Sequence, residues 1–161
     1  MRRGADVHFS FVPIAYRLDK YLGLSVVVWD GAVTGDEAED HVRSLLADPD
    51  WPVGPIHLLD TTTATSIPNV ASTKLVEMLV DIAEARRIRF ALVATDGFRE
   101  AARFQRAASA SGVSQVMAFA DLSSACVWLG VDLAVVRTML GRLRRELRDA
   151  GGTAPPSVCD A

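Results

Sequence analysis

The chain has 161 residues, half of them apolar, and 17 Lys and Arg stand against 20 Asp and Glu for a formal net charge of -3. That length and apolar share suit one domain with a full core needing no metal or disulfide staple, and the mild acidity offers nothing to nucleic acid or an anionic membrane. The opening Met1-Arg2-Arg3-Gly4-Ala5-Asp6 lacks the apolar segment of a signal peptide, no apolar run reaches bilayer length, and Cys126 and Cys159 make no disulfide framework, so a cytoplasmic protein is expected.

Val7 to Leu18 alternates loosely around Phe9, Phe11 and Ile14, and Pro13 inside it predicts an edge strand or a bulge. Tyr21 to Trp29 is the most β-prone run in the chain, with Gly23 placed to turn. The two runs predict an antiparallel hairpin that ends at Asp30-Gly31. Thr34-Gly35-Asp36-Glu37 opens a helix, with Thr34 as cap and Glu37 three residues on as a capping box requires. Ala38, His41, Val42, Leu45 and Leu46 form its apolar stripe. Asp48 to Pro55 is a turn-rich loop, with Trp51 expected over an edge of the core.

Ile56 to Leu59, bounded by Pro55 and Asp60, reads as a buried strand, and Thr61 to Ser66 as a hydroxyl-rich loop after it. A second helix is predicted from about Asn69, its N-cap, to Arg86, with Val76, Leu79, Ile82 and Ala83 inward. Ile88 to Thr95 is another buried strand, closed by Asp96-Gly97. Phe98 to Ser111 is a helix with Ala101, Phe104 and Ala108 inward, stopped by Gly112. Gln115 to Phe119 is the last strand. Asp121 caps a short helix through Leu129 that Gly130 ends, and Asp132 caps a final helix to about Ala150.

From the third strand onward the order is β-α-β-α-β-α. It predicts an α/β fold: a mainly parallel central sheet of about five strands, with an N-terminal β-hairpin and crossover helices. The domain is expected over residues 1–130, an amphipathic helix over 131–150 and a flexible tail over 151–161.

Four pieces give the chain a family likeness: Leu24 to Glu37, the loop Asp48-Pro49-Asp50-Trp51-Pro52, the strand end Leu58-Leu59-Asp60, and Ala120-Asp121-Leu122 to Ala125 with Trp128-Leu129-Gly130. Together they span most of Tyr16 to Gly130, and in this the chain resembles the SpoIIAA-like, or STAS-like, domains of short bacterial proteins often labelled STAS/SEC14-like. The resemblance implies a SpoIIAA-like fold and a non-enzymatic switch. It also implies a phosphorylated Ser in a D-S-S-G-like motif at the start of the helix after the third strand. Here that region reads Ser66-Ile67-Pro68-Asn69-Val70-Ala71-Ser72-Thr73, without the acidic residue or the Ser-Ser-Gly, and Ser66 and Ser72 are the nearest hydroxyls.

The C-terminal edge of a parallel sheet is where such folds bind ligands or are modified. Asp60, Thr61, Thr62, Thr65, Ser66, Asn69 and Ser72 are therefore the expected binding or switch loop. Asp60 can orient a ligand or serve its own turn, and the hydroxyls, Thr63 included, can hold an anion or bond their own backbone. No ligand spacing joins His8, His41 and His57, so neither metal nor cofactor is expected. There is no G-x-S-x-G elbow and no phosphate-binding G-x-x-x-x-G-K loop, and Cys126 reads as a small core residue. In the last helix Leu133, Val136, Leu140, Leu143 and Leu147 fall at a/d spacing among Arg137, Arg142, Arg144, Arg145 and Arg148. Two heptads are short for a coiled coil, so the helix is expected on its own sheet or on a neighbouring helix, and the alternative makes Val136, Leu140, Leu143 and Leu147 a dimer or partner contact.

The expectation is a non-enzymatic regulatory or protein-interaction module with protein partners, a homodimer among them, and with no nucleic acid and no membrane span. The alternative is a carrier or sensor for a small apolar ligand or a nucleotide, in a cleft between the hairpin, the second helix and the last strand. An enzyme using Asp60 and a loop hydroxyl ranks last, because no base stands at nucleophile-like spacing.

Overall fold

Six strands pair side by side in chain order, and that order dictates where the helices go. The computed structural model describes residues 8–9, 13–51, 56–68, 73–86 and 88–151. The expectations for Phe11, residues 52–55, Asn69, Ser72, the side chain of Ala83, Cys159 and the tail from 152 lie outside the described residues. The elements are β1 (His8–Phe9), β2 (Ile14–Asp19), β3 (Leu24–Ala32), α1 (Gly35–Ala47), β4 (Ile56–Ser66), α2 (Thr73–Arg86), β5 (Arg89–Val93), α3 (Phe98–Ala110), β6 (Val116–Phe119), α4 (Leu122–Leu129) and α5 (Leu133–Gly151).

β1, β2 and β3 pair antiparallel, and β3 to β6 are parallel. The mainly parallel α/β sheet with an N-terminal hairpin is thus present. The described residues of Val7–Leu18 hold two strands that pair with each other, and β2 begins just after Pro13, whose missing N–H and fixed φ suit the end of a ladder. Gly23 takes a φ of 61° in the turn to β3, a conformation cheap only for glycine.

Each parallel step moves the same way across the sheet, and right-handed crossovers then deliver α1, α2 and α3 to one face. That face buries Val27, Trp29, Leu59, Phe90 and Leu92 against Ala38, Leu45, Leu79, Ile82 and Phe104. The opposite face buries Val26, Val28, Leu58, Ala91 and Val93 beneath α4 and α5. The period of two along a strand divides the residues between the layers.

Two expectations change here. Thr61–Ser66 is not a loop but the second half of β4, paired with the extension of β3 through Asp30↔Thr63, Gly31↔Ala64 and Ala32↔Ser66. β-branched threonines suit an extended chain, and two of them bond neighbouring strands through their hydroxyls: Thr61 Oγ1 donates to the Val93 carbonyl at 2.9 Å and Thr63 Oγ1 to that of Trp29 at 3.3 Å. The two readings of the α5 stripe also narrow, to the helix laid on its own sheet. Val136, Leu140, Leu143 and Leu147 are buried with Met139 against the chain's own sheet. Each such side chain contributes roughly 1.5–3 kcal/mol by leaving water, so the fold uses the stripe that a second copy would need.

Caps set the helix ends as expected. Thr34 and Glu37 form the capping box of α1. Asp121 Oδ1 accepts from the Ser124 N–H at 2.8 Å and Asp132 Oδ1 from Val135 N–H at 3.0 Å. Gly130, at φ 73°, ends α4.

Candidate functional site

The C-terminal half of β4 brings together most of the residues singled out by sequence, but it separates them by face. Asp60 and Thr62 turn toward α5, Thr61 turns toward the α1–α3 layer, and Thr63, Thr65 and Ser66 are exposed at the projecting end. Asn69 and Ser72 are outside the described residues.

Asp60 is 2% exposed. Its Oδ1 accepts from the Thr62 N–H at 2.8 Å and from the Thr62 hydroxyl at 2.6 Å. Its Oδ2 accepts from Arg144 Nη2, which also reaches Thr62 Oγ1 at 3.0 Å. Arg144 descends from α5, so Asp60 is half of a pair that pins this helix to the sheet. A second tie lies nearby, from Arg17 Nη2 on β2 to Glu146 Oε1 at 3.1 Å. Asp60 therefore serves packing, and its carboxylate is not offered at the rim.

The same register places two polar residues together on the other face. Ser25↔His57 are partners across β3 and β4, and Ser25 Oγ and His57 Nδ1 are hydrogen-bonded. The His57 ring stacks on Phe90 at 4.7 Å. Burial, with His41 adding to it, pushes the His57 pKa down to about 3, and burial alone pushes that of His41 down to about 4. Both imidazoles are thus neutral in the core at neutral pH. His41 meets the Tyr16 ring at 5.4 Å. The Tyr16 hydroxyl donates to Asp48 Oδ2 at 2.9 Å, and burial and then that carboxylate hold it above its ordinary pKa. Cys126 is on the buried face of α4, where burial raises its thiol pKa.

Beside His57 the α1–α3 layer leaves a partly enclosed cavity of about 80 Å³ between β3–β5 and the helices. It touches α2, as the expected cleft did, but α3 and β5 form its far wall rather than the last strand. Among the described residues no cluster of three His, Cys, Asp or Glu is placed to hold a metal, and no helix is long and apolar enough to cross a membrane.

Sequence reasoning missed the Asp60–Arg144 pair, the Ser25–His57 pair and the cavity. The second left a trace: Ser25 and His57 are each the second residue of an apolar strand, and parallel pairing from the strand starts aligns them.

The architecture is an α/β module with helices on both faces of a mixed sheet. Among solved structures the chain is similar to an anti-sigma factor antagonist from Mycobacterium paratuberculosis. The identity is 17% and the TM-score 0.44, over 72% of this chain and 93% of that one. No family model and no curated protein matches the chain.

Proposed function

We propose that this chain is a non-enzymatic regulatory module that engages a protein partner through the projecting end of β4. The observation carrying this reading is an overhang. Pairing with β5 stops at Asp60↔Val93, while β4 continues beside β3 as far as Ser66. On the β5 side, Thr61–Ser66 has no strand partner among the described residues. An open edge of this kind is a template for an added strand, and extended peptides bind by main-chain pairing there. Thr63, Thr65 and Ser66 are exposed along it and carry no charge to oppose pairing. A phosphate on Ser66 would add about -1.5 to -2 charge to this edge and oppose the added strand. The groups that chemistry would require are occupied: Asp60 with Arg144, and His57 with Ser25 beneath Phe90.

The test is a pull-down from the native cell with the unmodified chain and with Thr63→Lys/Thr65→Lys, after matched melting temperatures establish that both fold. Loss of a captured protein from the double variant supports the reading. Retention of every captured partner removes it.

The cavity favours a second reading, a carrier or sensor for a small apolar ligand. Its volume favours that ligand over a nucleotide, as does a wall without Lys or Arg among the described residues.

A further inference from the structure

The cavity wall is almost wholly apolar: Leu59, Leu79, Phe90, Leu92 and Phe104 are among the residues that line it. Among the described residues, polar side-chain groups border it at three. The Thr61 hydroxyl is used on the Val93 carbonyl, and His57 Nδ1 is used on Ser25. The third is Trp29, whose indole Nε1 is buried without a hydrogen-bond partner among the described residues while the residue lines the cavity. Native proteins rarely leave a buried donor unmet, because it forfeits its water without replacement. An acceptor lodged in the cavity would satisfy it.

We propose that this cavity binds a small neutral molecule, mainly apolar, whose single hydrogen-bond acceptor meets the Trp29 indole N–H. This deepens the ligand reading given above and rests on it. Neutrality follows from the wall: among the described residues no Lys or Arg lines it, and a buried anion without a cation is strongly disfavoured. The size follows from the volume, about 80 Å³, which is roughly half the ~150 Å³ of an engineered apolar cavity that takes up benzene. A short ketone, ether or ester of about five heavy atoms matches that scale.

The full chain is titrated with 2-butanone and, separately, with 2-methyl-1-butene, a hydrocarbon of the same shape. Binding is read from the indole N–H resonance of Trp29, assigned by its absence in Trp29→Phe. The expected result is a saturable shift of that resonance with butanone. Trp29→Phe should then lower butanone affinity relative to hydrocarbon affinity by roughly 5- to 10-fold, the loss of one ordinary hydrogen bond. Saturable binding of both probes with an affinity ratio unchanged by Trp29→Phe overturns the hydrogen-bond assignment and leaves the apolar-ligand reading standing. No saturable shift with either probe overturns both. If Trp29→Phe fails to fold, the Trp29 resonance is assigned by elimination with Trp51→Phe and Trp128→Phe, and the unmodified chain decides. A shift with butanone that hydrocarbon does not reproduce supports the proposal, and equal responses to the two overturn it.

Discussion

Replacing Arg144 with methionine should expose how the final helix is held. Arg144 bonds Asp60 Oδ2, and Asp60 is 2% exposed while the Arg144 side chain is 28% exposed. Methionine keeps much of the aliphatic stem and removes the guanidinium, so the carboxylate keeps only its Thr62 donors. Breaking a fully buried pair costs about 3–5 kcal/mol and an exposed pair about 0–1. The asymmetric burial here and the two surviving donors place the loss at about 2–3 kcal/mol. For a chain of this length each kcal/mol shifts Tm by about 2–4 °C, so thermal melts followed by circular dichroism should drop by roughly 5–10 °C. Asp60→Asn should cost less, about 1–2 kcal/mol, because the Arg144 charge that remains still reaches water. The double variant should be more stable than the sum of the single losses by roughly 1.5–3 kcal/mol. A fall below about 1 °C for Arg144→Met, or strict additivity in the double variant, would refute this account of the pair.

Other consequences can be measured on the same protein. His41 and His57 are held neutral with pKa values pushed down to about 4 and about 3. The unfolded chain takes up protons at these sites below about pH 6.5 while the folded chain does not. Stability should therefore fall as pH drops from about 6.5 toward about 4 for His41 and about 3 for His57, by up to about 1.4 kcal/mol per unit for each; urea titrations of His57→Phe should show a shallower slope over that window. Leu143→Ala, at a site with no exposure, should cost about 2–5 kcal/mol with no change of oligomeric state in sedimentation. A stable variant whose mass changes would return the α5 stripe to an interface. Thr34→Ala should lose about 1 kcal/mol in denaturant melts, because it removes the side-chain half of the capping box.

The elements legible in the sequence are those whose signals are local. Thr34 with Glu37, Asp121, Asp132 and Gly130 mark helix ends because each meets backbone groups within three or four residues of itself. Apolar runs such as Leu24–Trp29 read as strands because burial on both faces needs apolar residues throughout. Thr61–Ser66 misled because Ser and Thr are loop residues when alone. Here the extension of β3 past Trp29 gives them a ladder to join, with register shifts near Asp30 and Gly31. Gly31, at φ 74°, makes the irregularity possible. Arg144 was one of five arginines around a helix, and periodicity does not choose among them. Only the fold, by setting α5 across β4, selects the one that meets Asp60. The cavity has no local signal, since it is what three helices and three strands fail to fill.

The most direct test of the central claim is hydrogen exchange, resolved by residue, along β4 of the free chain. Amides of His57–Asp60 lie between two paired strands and should exchange slowly. Those of Thr63–Ser66 that do not bond β3 should exchange at least about 100-fold faster, and should slow when a captured protein partner is added, whereas the Thr62 amide is held by Asp60. Uniform protection from His57 to Ser66 in the free chain, or no slowing at Thr63–Ser66 on adding the partner, would contradict the open edge and the function proposed for it.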